Sequence, residues 1–228
     1  MDFKRCIKKK NKNIIFYFFL LVIVSSIHNI ELNNFKFNDI QDIKVSGLSE
    51  TNNSILFKEI KNLNLGNIFF INNKKINKVI ESNSLIEKYE VIKKYPHTIK
   101  ILIQETNFFA KINKDGETFL IGSNRKLTMD NGQNNELPYI FGKPNLNEIF
   151  NFKTIIDKSK FSYSQIEKLY FFPSGRWDLK FKDNILIKFP ENLKNETLDS
   201  IYKFLENYNL NNISIIDARI NNQIILNE

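Results

Sequence analysis

The stretch VIKKYPHTIKILIQE, Val91–Glu105, decides the fold. Ile99, Ile101 and Ile103 alternate with Lys100 and Gln104, the period of a half-buried strand. Tyr95-Pro96-His97 reads as a tight connection. Pro96 has a fixed φ and no N–H, so it belongs in the turn and not in the ladder. The run from Ile86 to Lys94 is then the partner strand of a hairpin. Working outward, Leu56, Ile60 and Leu63 recur at i, i+4 and i+7 and make one apolar helical stripe, with Asn53 or Ser54 as its N-cap. Gly66 re-aims the chain, and Phe69, Phe70 and Ile71 form a short apolar bridge. A second helix follows a cap at Asn72 or Asn73, with Ile76, Val79 and Ile80 on one face. Ahead of both helices, Ile43 and Val45 alternate with polar neighbours in a strand over 40–45, ended by Ser46-Gly47. Residues 40–106 thus predict a β-α-α-β-β unit whose Ile and Leu stripes are buried between helices and sheet.

The N-terminal side of this unit has different chemistry. Ile14 to Val24, IIFYFFLLVIV, is an unbroken run of eleven apolar residues, and no charge occurs from Asn13 to Ile30. Eighteen helical residues span roughly 27 Å, close to the hydrocarbon thickness of a bilayer. Lys4, Arg5, Lys8, Lys9, Lys10 and Lys12 precede it, against Asp2 alone. Basic flanks stay in the cytoplasm. The reading is a cytoplasmic tail over 1–13, a transmembrane helix over 14–30, a spacer over 31–39, and the remainder exported. A cleaved signal peptide has the same basic and apolar order, and Val24-Ser25-Ser26 is its weak cleavage site. Either reading exports the rest of the chain.

Charge excludes a second class of function. The formal net charge is +8, but the first thirteen residues hold six basic side chains and one acid. Only about +3 remains for the exported part, and its Lys and Arg alternate with Glu, Asp and Asn. A nucleic-acid footprint needs them clustered in the folded region. The one cysteine, Cys6, lies in the cytoplasmic tail, so no exported disulfide or thiol site is expected.

Residues 107–228 carry short strands and turns. Asp115-Gly116 between Phe108–Asn113 and Thr118–Ile121 is a hairpin turn signal. A strand over 137–141 and a helix over 146–158 follow, the helix with Ile149, Phe150 and Ile156 inward. Ile166 to Phe172 leads into a Pro173-Ser174-Gly175 turn. Trp177, Leu179 and Phe181 alternate with Asp178 and Lys180, and Ile185, Ile187 and Phe189 form the partner strand. Trp177 is read as a core anchor. Leu198, Ile201, Tyr202 and Leu205 stripe a helix over 195–207. Strands at Ile213–Ile216, running on to about Ile220, and at Ile224–Leu226 close the chain, with Asn221-Asn222 between them. The fold class is α+β: one N-terminal transmembrane helix, the β-α-α-β-β unit, then a mostly antiparallel β domain with flanking helices.

Catalytic chemistry is not expected. An enzyme needs convergent reactive groups. The only histidines are His28, at the membrane boundary, and His97, in a turn. With no exported cysteine, a Cys/His zinc site cannot be assembled, and no phosphate-binding or nucleophile motif is present. Neither metal, cofactor, small-molecule substrate nor nucleic acid is implied. Arg176 and Arg219 have acids to pair with that the sequence does not single out. What remains is binding. A short strand near the chain end is either a blunted sheet edge or one whose free N–H and C=O groups accept a partner strand.

In its motifs the chain resembles the FtsQ/DivIB family of bacterial division proteins. Val91, Lys93, Tyr95-Pro96, Thr98-Ile99, Ile101, Ile103, Glu105 and Ala110 follow the family's POTRA pattern, as does Val45-Ser46-Gly47. Lys93 replaces the usual Arg, and Thr106 with Phe108 replaces the usual Arg-x-Pro. Downstream, Asp115-Gly116 with Phe119, Arg176-Trp177-Asp178-Leu179 and Asp217-Ala218-Arg219 come in family order, with Ala218 off pattern. The resemblance implies a POTRA domain over 40–106 and an FtsQ-type β domain over 107–228. It further implies a non-catalytic, single-pass inner-membrane scaffold with periplasmic C-terminal domains, partnered by FtsB and FtsL homologues and other division membrane proteins. In the family a partner strand is added at the C-terminal end of the β domain. That assigns docking to Arg219, Ile220, Gln223, Ile224, Ile225 and Leu226, with Ile220, Ile224 and Leu226 as apolar contacts. The other reading of a POTRA unit is a periplasmic chaperone or secretion component for extended polypeptides, but such transporters continue into a long membrane barrel.

Overall fold

A computed structural model describes residues 3–27, 39–132, 136–207, 213–220 and 223–227. The first element, α1 (Phe3–Ile27), begins well before the expected span at residue 14. It holds the whole apolar run. Its continuation to residue 30 lies outside the described residues, as do most of the spacer and the Asn221-Asn222 turn. Among the described residues no helix is long and apolar enough to cross a membrane.

The β-α-α-β-β unit is present. It comprises β1 (Asp42–Ser46), α2 (Glu50–Lys61), α3 (Asn73–Ser82), β2 (Ile86–Lys94) and β3 (Thr98–Glu105). The hairpin β2–β3 is antiparallel, and β1 joins the other side of β3 in parallel, giving the order β1-β3-β2. Val91, Ile101 and Val45 are aligned across the three strands, so one apolar row faces the helices. Leu56, Ile60, Ile76 and Ile80 are fully buried against Ile99 and Ile101. Each such side chain contributes about 1.5–3 kcal/mol of apolar burial. Lys93 lies opposite Ile99 and is half-buried, its stem along the apolar row.

Two local expectations are corrected. Ser49, not Asn53 or Ser54, caps α2, its hydroxyl accepting from Asn52 N at 3.4 Å. Asn53 instead braces the preceding loop, donating to Leu48 O at 2.8 Å. The apolar bridge is anchored by Ile68, fully buried in a 3-10 turn (Ile68–Phe70), while Phe69 and Phe70 are exposed. A run of three apolar residues on a tight turn cannot point every side chain inward.

Among the described residues the second sheet has nine strands. They are β4 (Phe108–Lys114), β5 (Glu117–Gly122), β6 (Leu127–Met129), β7 (Tyr139–Phe141), β8 (Ile166–Phe171), β9 (Trp177–Phe181), β10 (Leu186–Lys188), β11 (Ile215–Asp217) and β12 (Ile225–Asn227). The order is β12-β11-β10-β9-β8-β7-β4-β5-β6. Five neighbouring pairs are antiparallel. Three are parallel: β4–β7, β7–β8 and β10–β11. Two of the parallel pairs follow from helical crossovers, α4 (Leu146–Asp157) between β7 and β8, and α5 (Asn195–Asn207) between β10 and β11. The short β6 was not anticipated from the sequence.

The helices supply Ile149, Phe150, Phe152, Ile156, Leu198 and Ile201 to one core with Leu179, Ile187, Phe189 and Ile216. Asn145 and Glu148 close a capping box that starts α4. Trp177 is buried in this core, stacked on Phe152 with ring centroids 4.5 Å apart and planes at 21°.

Polar contacts join the two sheets. Asn124 donates to Ser84 O at 2.8 Å and Ile86 O at 2.9 Å, and Lys126 donates to Asn83 O at 3.0 Å. Thr128 Oγ1 donates to Ser84 Oγ at 2.8 Å. The β6 edge of the large sheet is therefore flanked by residues 81–84.

Candidate partner-binding edge

At the opposite end, β12 is the last strand in the order. It owes its place to the crossover through α5. Leu198 and Ile201 of that helix share a core with Phe189 and Ile216, and β11 lies alongside β10 in parallel. The chain then turns, Gln223 N donating to Ile220 O at 3.2 Å, and β12 returns antiparallel to β11. Ser214 N donates to Asn227 O at 3.0 Å at the far end of the pair.

The six expected docking residues fall into two groups. Ile225 and Leu226 lie in β12 itself, 46% and 41% exposed. Leu226 is opposite Ile216, which is fully buried, so Leu226 lies on the core face. Ile225 is opposite Asp217 on the other face. Arg219, Ile220, Gln223 and Ile224 instead line a groove of about 1150 Å³. Ile224 packs against the core and is half-buried, whereas Ile220 is 55% exposed. The other wall of the groove is the first half of α5 and the loop before it, with Leu193, Lys194, Thr197 and Ile201. Those residues were missed at the sequence level. Their contribution depends on the crossover, which brings positions some 25 residues apart together. Of the stripe on α5 only Ile201 reaches the groove, so spacing along the helix gave little sign of it.

The strand over 213–220 is shorter than expected and ends at Asp217, although Ala218 N still donates to Lys188 O at 2.9 Å. Arg219 turns back on its own strand. Its Nε reaches Asp217 Oδ1 at 2.9 Å and its Nη2 reaches Asp217 Oδ2 at 2.5 Å. The hydrogen bond from Arg219 holds the Asp217 carboxyl below its ordinary range. Arg176 forms the matching pair with Asp178, Nε to Oδ1 at 3.1 Å and Nη2 to Oδ2 at 3.3 Å. Asp178 is only 3% exposed, and burial pushes its carboxyl up despite the guanidinium. The Arg176 guanidinium also lies over the Phe172 ring, 4.1 Å from its centroid. Lys188 stands between the two pairs, opposite Asp178 on one side and Asp217 on the other, so the two acids share one face of three adjacent strands.

His97 sits in the hairpin turn, its ring nitrogen 3.3 Å from Thr98 Oγ1. Among the described residues no group of three or more His, Cys, Asp or Glu side chains could hold a metal ion. The chemistry of this edge is that of backbone amides, apolar side chains, an internally paired Arg219 and the charged groove residues Glu191, Lys194 and Glu196.

Comparison with known families agrees with the architecture. Residues 38–106 match the FtsQ-type POTRA domain, and residues 101–219 match the C-terminal domain of cell division protein FtsQ/DivIB. The second match ends at Arg219, so Ile220 to Leu226 lie beyond it. No curated relative matches the chain.

Proposed function

The chain belongs to the FtsQ/DivIB family of cell division proteins, a non-enzymatic family of division scaffolds, and from that premise we propose that it is a membrane-anchored organiser of the division machinery. It holds FtsB- and FtsL-type partners outside the cytoplasm by strand addition at β12 and so links assembly to septal wall synthesis. The apolar run of α1 anchors it in the inner membrane, with the basic N-terminus inside and both sheets in the periplasm.

The observation that carries this reading is the position of β12. An edge strand has a row of N–H and C=O groups that a partner can complete. The two edges of the nine-stranded sheet are unequal: residues 81–84 flank β6, whereas β12 carries the exposed Ile225 and Leu226. The groove beside it has mixed walls, Leu193, Ile201 and Ile224 among Glu191, Lys194 and Glu196, for side chains that flank an added strand.

The test uses proline. Successive N–H groups of a strand point to opposite sides, so one of Ile225 and Leu226 donates toward β11 and the other away from it. Full chains carrying Ile225→Pro or Leu226→Pro are compared with wild type for co-purification with FtsB and FtsL homologues. One of the two variants is expected to keep the wild-type circular dichroism and lose the partners. Full recovery from both refutes docking at β12.

A further inference from the structure

The smaller sheet has two chemically different ends. β2 runs from Ile86 at the junction with the large sheet to Lys94 at the other end, nine residues and roughly 26 Å. At the far end the chain arrives from the N-terminal segment. Asp39 pairs with Asn67, Ile40 N donates to Gly66 O at 2.9 Å, and Gln41 N donates to His97 O at 3.0 Å. The arriving backbone is thus bonded to the two loops that carry the unit's most exposed aromatic rings. Phe69 is 50%, Phe70 79% and Tyr95 60% exposed, and the Phe69 and Tyr95 centroids are 4.9 Å apart. Exposed Lys74, Lys75 and Lys94 flank them, against the exposed acids Asp39 and Asp42.

From Ile27 to Asp39 there are twelve Cα steps, which bounds the tether at roughly 43 Å. The aromatic end is the end to which that tether attaches, and the large sheet is attached at the opposite one. An apolar ring cluster with a tyrosine and surrounding lysines suits the layer between lipid tails and phosphate headgroups, where aromatic bodies are desolvated and ammonium groups meet phosphate.

We propose that the Phe69–Phe70–Tyr95 end of the smaller sheet docks on the interfacial layer of the phospholipid bilayer. The proposal rests on the anchored reading of α1 above. Docking sets the smaller sheet upright on the membrane and holds β12 away from the lipid surface.

The experiment uses full-length chain with Cys6→Ser, reconstituted in vesicles of phosphatidylethanolamine and phosphatidylglycerol. Single nitroxide labels are placed at Phe19→Cys in α1, at Lys74→Cys beside the aromatic trio, and at Ile55→Cys on the exposed face of α2. Collision with oxygen and with a water-soluble nickel chelate reads depth. The expected result is loss of nickel access at positions 19 and 74 with access kept at 55. Adding Phe69→Asp and Phe70→Asp, both at exposed positions, is expected to restore nickel access at 74 alone. Equal access at 74 and 55 with 19 protected overturns the docking while leaving the anchor standing, and is also the outcome if a protein partner covers this end instead. A label at 19 left in water overturns the anchor and the docking together.

Discussion

Glu87 Oε2 lies 2.8 Å from Ser123 Oγ and 2.9 Å from Thr106 Oγ1, so one carboxylate oxygen ties β2 to the turn beyond β5. Thr106 is almost fully buried, and its backbone N donates to Leu85 O at 2.8 Å. Thr106 is also where the chain departs from the family's Arg-x-Pro. With Phe108 at the proline's position, the Thr106 hydroxyl, at the arginine's, accepts from Asn124 N at 3.3 Å and donates to Glu87, which pins the exit from the smaller sheet.

Removing the shared acceptor should therefore loosen the junction. Glu87→Ala is expected to destabilise the chain by about 1–3 kcal/mol, because the Thr106 and Ser123 hydroxyls both lose the carboxylate they donate to, while Thr106 still accepts from Asn124 N. Glu87→Gln, which retains an acceptor oxygen, is expected to cost less. Urea unfolding gives both values, and limited proteolysis near residue 106 should accelerate in the alanine variant alone.

Gly47 admits no side chain. Its φ is +117°, and a Cβ there would stand 1.8 Å from Ile103 O. β1 crosses so near the end of β3 that the two backbones are in contact. Gly47→Ala adds backbone strain on the order of 1–3 kcal/mol to that overlap. The expected outcome is a lower thermal midpoint and loss of amide-exchange protection in β1 first, since Leu48 and the start of α2 must shift with it.

The two aspartate–arginine pairs should respond to acid in opposite senses. Asp217 is held below its ordinary value of 3.8. Its contribution to stability is complete above that value and is lost as pH falls through the lower, folded one. Asp178 is raised by burial above 3.8. The folded state holds its proton more tightly than the unfolded chain, so stability rises as pH falls through the folded value and levels off below 3.8. Urea midpoints between neutral pH and pH 3 are compared with those of Asp217→Asn and Asp178→Asn. Wild type should lose its advantage over Asp217→Asn in acid and gain on Asp178→Asn. Parallel trends for the two variants would contradict this assignment of the pairs.

The order of elements was legible in the sequence wherever a period extended over several residues. Ile99, Ile101 and Ile103 predict β3, and the Leu198 to Leu205 stripe predicts α5 with the ends the structure shows. Local periodicity works there because the same alternation that makes a strand or helix also chooses its buried face. The apolar bridge over 69–71 left open which of its residues find a core, since hydrophobicity alone does not say that for a tight turn. Ser49 was passed over because capping depends on where the helix starts, and apolar spacing leaves that open by a turn.

What the sequence alone determined was the family, the two kinds of unit, and the segregation of basic charge to the N-terminus. Those rest on short-range pattern. Only the tertiary structure decided that β11 runs parallel to β10, that β6 is flanked while β12 carries exposed isoleucine and leucine, and that Arg219 to Leu226 divide between an edge strand and a groove. The reason is that strand neighbours are chosen by helical crossovers and shared core area between distant segments. A strand of three residues carries too little pattern of its own to name its partner.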